Sequence, residues 1–145
     1  MARTGWTRVN STPTISSLAF PYGRPADFPW GAYTCLMNVT SITQAAEELL
    51  TNAKSDPKGV AVFRLYGGSG LQLRQTMVGI AATKELERHP NPGEATIQVL
   101  YGVVNLLWDG GGVGLQQGEW VAAPAGDHSI QGVQDAVVLV TAVGN

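Results

Sequence analysis

Residues 118–128 read Gly-Glu-Trp-Val-Ala-Ala-Pro-Ala-Gly-Asp-His, and this stretch is the most informative in the chain about its fold. Five residues separate its first glycine from Pro124, and a second glycine follows the proline by two positions. Residues 119–123 predict a short strand, because an apolar run is bounded on both sides by turn-forming residues. The stretch ends on His128, and the only other histidine is His89. Both histidines are therefore candidate site residues.

Short apolar runs on both sides of this stretch predict further strands. Eighteen glycines and eight prolines punctuate them, which is typical of an all-β fold. Glycine-rich segments join the runs at residues 67–70 and 109–112, and Gly102 predicts a bend or bulge inside the longest run. The predicted strands are Val60–Tyr66, Leu71–Ile80, Ala95–Trp108, Val113–Leu115, Glu119–Ala123 and Ala136–Val143.

One helix is predicted before the strands. Ser41 and Gln44 have the spacing of a capping box, and the helix is expected to end near Lys54, before residues 56–59 (Asp-Pro-Lys-Gly). Its apolar residues recur at helical spacing and are expected to cover a barrel. They are Ile42, Ala45, Ala46, Leu49, Leu50 and Ala53.

Residues 1–40 differ from the rest, since they hold four of the eight prolines and two of the four tryptophans. This composition predicts an extended N-terminal arm, followed by one barrel domain over residues 41–145 that includes the helix. A length of 145 residues suits one domain with a real core.

Composition restricts the partners. Nine basic residues are scattered without forming a stripe, and the net charge is −2, which disfavours nucleic acid and an anionic membrane surface. The single cysteine, Cys35, allows no intrachain disulfide. No apolar run approaches the ~18 residues of a membrane-spanning helix, and residues 1–13 lack the apolar core of a secretory signal. The expected compartment is the cytoplasm.

Residues 41–143 resemble the cupin superfamily through two motifs in the expected order. The second cupin motif has glycine, five residues, Pro-x-Gly and a nearby histidine. Residues 118–128 match it, with one residue between Gly126 and His128 where two are usual. In the first motif, His89 and Gly102 keep the expected residue types. The second histidine, the glutamate and the leading glycine of that motif are replaced by Asn91, Ala95 and Thr83.

The resemblance implies a single-domain cupin, a double-stranded β-helix or jelly-roll barrel with an N-terminal arm and one short helix. A typical cupin metal centre uses three histidines and one glutamate or glutamine, whereas the equivalent positions here are His89, Asn91, Ala95 and His128. Two imidazoles fall short of the three protein ligands that catalytic zinc sites keep. No cofactor is therefore expected, beyond a weakly bound divalent transition metal on His89 and His128.

Without a metal, two histidines facing one cavity would perform proton transfer, because imidazole titrates near neutral pH. Glu94 is the third candidate catalytic residue, although strand alternation sends residues 94 and 95 to opposite faces. Candidate substrate-binding residues are Asn91, Gln75, Gln98, Arg74 and Trp120. Each has a structural alternative: a turn for Asn91, exposed strand faces for the glutamines, a surface ion pair for Arg74 and a core or rim position for Trp120.

Three functions remain open. The first is a non-redox enzyme, a cyclase or isomerase that acts on a carbonyl compound such as a polyketide-like metabolite. The second is a metal-dependent, dioxygenase-like enzyme in which Glu94 or water completes the ligand set. The third is a non-catalytic module that binds or senses a small molecule. The expected partners are a small organic molecule and a second copy of the chain, because cupins similar to this one commonly pair their barrels.

Overall fold

A computed structural model describes residues 39–91 and 93–144, so the N-terminal arm lies outside the described residues except for its last two positions. One helix precedes nine strands in this part of the chain. The elements are α1 (Ile42–Ser55), β1 (Val60–Tyr66), β2 (Leu73–Ile80), β3 (Glu85–Pro90), β4 (Glu94–Tyr101), β5 (Val103–Trp108), β6 (Gly111–Gln116), β7 (Trp120–Ala122), β8 (Asp127–Gly132) and β9 (Ala136–Val143).

The helix α1 forms where the capping box predicted it. The Ser41 hydroxyl accepts a hydrogen bond from the Gln44 backbone N–H at 3.3 Å, which satisfies one of the free donors of the first turn. Leu49 is buried against Met77 and Val137, so the apolar stripe of α1 packs on a sheet. In residues 39–91 and 93–144, no helix is long and apolar enough to cross a membrane.

The strands form two antiparallel sheets. Sheet A has the order β1-β2-β9-β4-β7, and sheet B has the order β3-β8-β5-β6. Alternate side chains of the two sheets meet in one apolar core, as expected for strands buried on one face. Its fully buried members include Ile80, Ile97, Val104, Leu106, Ile130, Ala136 and Val138. The helix α1 covers the opposite face of sheet A.

Short connections pair the strands of the two sheets one to one. Chain order joins β2 to β3, β4 to β5, β6 to β7 and β8 to β9, and each pair has one strand in each sheet. These connections lie at one end of the barrel, called here the closed end. The connections β3–β4 and β7–β8 cross at the other end, called the open end. Strand β1 has no counterpart in sheet B among the described residues.

Gly102 produces the bend at the closed end that divides the predicted strand Ala95–Trp108 into β4 and β5. Its φ is +78°, and a Cβ built there would lie 2.1 Å from the Asp135 carbonyl oxygen. Only glycine combines a left-handed backbone with so close an approach. The predicted bend is confirmed.

Strands β3 and β8 were missed in the sequence. Their sequences, Glu-Leu-Glu-Arg-His-Pro and Asp-His-Ser-Ile-Gln-Gly, contain one large aliphatic residue each, so neither shows an apolar alternation. They form because Leu86 and Ile130 pack on the common core, and because each strand pairs with a neighbour distant in sequence. Tertiary pairing overrides a weak local pattern here.

Candidate functional site: a histidine pair at the open end of the barrel

His89 and His128 lie side by side in sheet B. They are directly opposed residues of the antiparallel pair β3–β8, and their ring centroids are 4.5 Å apart with a 58° angle between the ring planes. Ile130 belongs to the core, so it faces the inside of the barrel. His128 lies two residues before it on β8 and therefore faces the same side. The strand pairing thus brings together two residues 39 positions apart.

A β-bulge turns His89 to that side. Leu86 opposes Ile130 and His89 opposes His128, so three steps along β3 match two steps along β8. Without the extra residue, Arg88 would stand opposite His128. Bulges re-aim side chains in this way beside functional sites.

Both imidazoles are oriented by backbone carbonyls. The Nδ1 of His89 lies 2.9 Å from the Glu87 carbonyl oxygen, and the Nδ1 of His128 lies 3.3 Å from that of Gly126. A carbonyl only accepts hydrogen bonds, so each Nδ1 carries the proton and each neutral ring keeps its lone pair on Nε2. Neither Nε2 has a hydrogen-bond partner among residues 39–91 and 93–144. When both rings are neutral, the pair thus presents two unprotonated Nε2 atoms.

Burial sets the charge state of His128, which is 3% exposed. Desolvation lowers its pKa below the ordinary value, the hydrogen bond to Gly126 opposes this, and the neighbouring His89 lowers the pKa further. His128 is therefore a neutral base at pH 7. Two adjacent imidazoles also disfavour double protonation, because like charges repel at this distance.

Trp108 completes a row of barrel-facing residues that sequence analysis missed. It is the direct β5 partner of His128, and Gly111 on β6 continues the row. A Cβ at Gly111 would lie 3.0 Å from the indole Cζ2, so the missing side chain makes room for the ring. Trp108 lies two residues after Leu106, so strand alternation puts it on the barrel-facing side. Its position beside His128 depends on the β5–β8 register.

Ion pairs link the ends of the strands that carry His89 and His128. The Arg88 guanidinium lies 2.7 Å from an Asp109 carboxylate oxygen in the β5–β6 turn and 3.8 Å from one of Asp127 on β8. Because all three side chains are substantially exposed, this network contributes modestly to stability. It does restrain β3, β5 and β8 at the open end.

Comparison with solved structures identifies the architecture. A cupin superfamily protein from Desulfitobacterium hafniense matches with a TM-score of 0.55 and 16% identity over 59% of this chain and 78% of its own. The chain has the cupin fold. A conserved protein of unknown function from Streptococcus pyogenes matches with a TM-score of 0.55 and 21% identity, over 62% of this chain and 78% of its own.

A larger protein shares the fold. Salicylate 1,2-dioxygenase from Pseudoaminobacter salicylatoxidans matches with a TM-score of 0.56 and 20% identity, over 68% of this chain and 30% of its own. No protein-family model matches the sequence, and no curated protein matches it. At these identities the likeness concerns the fold alone.

The metal centre of a typical cupin does not fit the residues of this chain. No group of three or more His, Cys, Asp or Glu side chains in the described ranges could hold a metal ion. Ala95 has no donor atom, and the Asn91 side chain is engaged in backbone hydrogen bonds described below. His89 and His128 alone are fewer than the three protein ligands of a catalytic zinc site.

Asn91 joins the two connections at the open end of this barrel. Its Oδ1 accepts from the Gly93 N–H at 3.2 Å, which is an Asx turn, and its Nδ2 donates to the Pro124 carbonyl at 3.1 Å. The Asn91 N–H also donates to the Gly126 carbonyl at 3.2 Å. Asn91 thus ties the connection β3–β4 to the connection β7–β8, as the turn interpretation predicted.

Four other candidate residues lie on the outer face of sheet A, opposite in alternation to the buried residues of their own strands. Glu94 is exposed at the start of β4, and Trp120 is 59% exposed beside Gln98. The Gln75 amide donates to the Thr141 hydroxyl at 3.3 Å on the same face. The structure does not bring these four together with the histidine pair. Their positions agree with the strand-face alternative that the sequence left open for the glutamines.

Asn91 and Glu94 do line a cavity of about 510 Å³ together with Ala95 and Ala123. It lies between the open-end connections and the strands β4, β7 and β9. Neither histidine lines it. The remaining candidate, Arg74, is exposed near the start of β2, and alternation with Val78 and Ile80 puts it on the barrel-facing side of the strand.

Proposed function

We propose that this cupin is a small-molecule-binding enzyme of a non-redox kind, which moves a proton at a carbon adjacent to a carbonyl group. Cyclisation or isomerisation of a polyketide-like compound is chemistry of this class. The observation that carries the proposal is the pair of adjacent Nε2 lone pairs on His89 and His128, each fixed by an Nδ1 hydrogen bond to a backbone carbonyl.

In the proposed reaction, the Nε2 of His128 accepts a proton from the substrate carbon. The C–H bond breaks, an N–H bond forms, and the electron pair moves into an enolate. His89 lies beside the resulting imidazolium, and the proton on the His128 Nε2 returns to another carbon or to the oxygen, either directly or after transfer to the Nε2 of His89. A base with a pKa near or below neutrality is suited to this task. The apolar core below the pair, with Leu106 and Ile130, excludes water from one side.

Hydrogen–deuterium exchange at an activated carbon tests the proposal. Acetylacetone is incubated with the protein in deuterated buffer at pH 7, and loss of the proton signal of its central carbon is followed by NMR. The expected result is exchange faster than in buffer, reduced on the order of a hundredfold in His128→Gln, in line with the loss of a general base. Gln75→Ala, on the outer face, is the matched control and should exchange as the wild type does.

The other two functions give different outcomes. Exchange that remains faster than in buffer in a His89→Gln/His128→Gln double variant would contradict the proposal. A ligand-binding module would bind acetylacetone without accelerating its exchange. A metal-dependent enzyme would contain one equivalent of a single transition metal per chain by mass spectrometry, and its activity would be lost on treatment with a chelator.

A further inference from the structure

Arg74 has no carboxylate partner in the described part of the chain, and the same holds there for Arg64 and Lys84. Lys54 pairs with Asp135, Lys58 with Glu87, and Arg88 with Asp109 and Asp127. No Asp or Glu in the described ranges lies within ion-pair distance of Arg74. The surface ion pair that the sequence left open for this residue does not form with these ranges.

Strand pairing puts Arg74 at the same end of the barrel as the histidine pair. Arg74 opposes Ala142 on β9, and Ala142 opposes Ala95 on β4, where β4 begins after the open-end connection. His89 lies at the end of β3, just before that same connection. The Arg74 row in sheet A and the histidine row in sheet B are therefore the last barrel-facing rows before the open end.

Arg74 also lies on the strand that corresponds to that of His89. The one-to-one order of the sheets matches β2 with β3 and β9 with β8. The residues of sheet A next to Arg74 in this row are two alanines, Ala142 and Ala95, each of which carries only a methyl group. A small molecule between the sheets would contact a guanidinium on one side and imidazoles on the other.

The stem of Arg74 is held by a close backbone contact. A Cβ built at Gly67 would lie 3.2 Å from both the Cα and the Cγ of Arg74, and Gly67 has a φ of +119°. The glycine therefore lets the β1–β2 turn lie directly against the arginine stem. Restraining a long side chain in this way lowers the entropy lost when it binds a ligand.

We propose that Arg74 binds the carboxylate of a small keto acid, whose carbonyl end then reaches His89 and His128. A guanidinium offers paired N–H donors that match the two oxygens of a carboxylate. This inference rests on the proposed function for the carbonyl end of the substrate, and Arg74 supplies the substrate class.

Binding of acetoacetate and of its methyl ester, both measured by ligand-observed NMR at pH 7, tests the inference. The two probes share the β-dicarbonyl group and differ in the negative charge. The wild type should bind acetoacetate more tightly than the ester. Arg74→Gln should weaken the binding of acetoacetate on the order of tenfold or more, as expected for loss of a charge-assisted hydrogen bond. It should leave the binding of the ester unchanged.

Lys84→Gln is the matched control, because Lys84 is an exposed basic residue in the β2–β3 connection at the closed end, opposite to the end that holds Arg74. It should leave acetoacetate binding unchanged. Equal weakening by both substitutions would show a general effect of charge and overturn the inference. Equal binding of acid and ester, or no binding of the acid, would also overturn it. The acetylacetone exchange assay is independent of these outcomes, since acetylacetone carries no carboxylate.

Discussion

At the scale of single residues, the bulge before His89 determines which side chain lies opposite His128. It replaces Arg88 with an imidazole opposite His128 and makes the pair. The two Nδ1 hydrogen bonds then fix the tautomers, so both Nε2 atoms are hydrogen-bond acceptors when the rings are neutral. The backbone hydrogen bonds and the strand pairing thus give the two histidines a defined tautomer and orientation.

Stability should depend on pH through His128. Burial lowers its pKa in the folded protein, so the unfolded chain binds a proton more readily as the pH falls below the ordinary histidine value of ~6.5. Stability from this group is complete above that pH and is lost as the pH falls toward the folded pKa. We expect the thermal midpoint to decrease between pH 7 and pH 5, with a shallower decrease in His128→Asn. Identical slopes for the two proteins would contradict the assignment.

At the scale of elements, glycines set how closely the pieces of the fold approach one another. A Cβ at Gly79 would lie 2.9 Å from the Leu49 carbonyl oxygen, so α1 rests directly on β2 there. At Gly102 the backbone of the β8–β9 connection lies closer still to the position of a built Cβ. The sequence predicted the Gly102 bend, but the helix contact at Gly79 depends on how α1 docks.

Comparison of Gly102→Ala with Gly110→Ala distinguishes the cost of a strained backbone conformation from the cost of a steric clash. Both glycines have positive φ, +78° and +89°, but only Gly102 has atoms within 4 Å of the added methyl group. We expect Gly110→Ala to cost about 1 kcal/mol and Gly102→Ala about 3 kcal/mol in the free energy of unfolding, measured in urea. Equal costs would mean that the closed end relaxes without strain.

Leu49→Ala tests the packing of α1. Leu49 is 4% exposed and contacts Met77 and Val137. Truncation should lower the free energy of unfolding by about 3 kcal/mol, because it removes buried methyl groups and leaves a cavity. Glu48→Ala, on the exposed face of the same helix, should change it by less than about 0.5 kcal/mol. A small effect at both positions would show that α1 contributes little to folding.

At the scale of the whole molecule, strand β1 leaves one edge of sheet A without a partner among the described residues. Val62 is 60% exposed and Phe63 is 42% exposed on this edge. Exposed apolar edge strands favour pairing with another chain. We therefore propose that two copies associate through β1, in keeping with the dimer expected from the sequence.

Light scattering after size-exclusion chromatography tests this association. The expected mass is twice the 15.3 kDa of one chain. Val62→Lys should shift the protein toward the monomer, because a charge would be buried at the edge. Leu71→Lys, at an exposed residue outside β1, should leave the mass unchanged. A wild-type monomer at all concentrations would refute the proposal.

The sequence by itself determined the local features of this protein. The Ser41 cap, the stripe of α1, the bend at Gly102 and the motif over residues 118–128 each depend on residues close together in the chain, so they could be predicted. The turn alternative for Asn91 was local for the same reason. The resemblance of the two motifs to those of the cupin superfamily then implied the cupin fold.

Only the tertiary structure decided the contents of the site. The partnership of His89 with His128, the place of Trp108 beside them and the outer-face positions of Glu94 and Gln98 follow from strand register. Register is set by pairing between strands far apart in sequence, and a slip of one residue reverses every side chain. A bulge such as the one before His89 leaves no mark in a polar strand, because the extra residue is visible only against its partner.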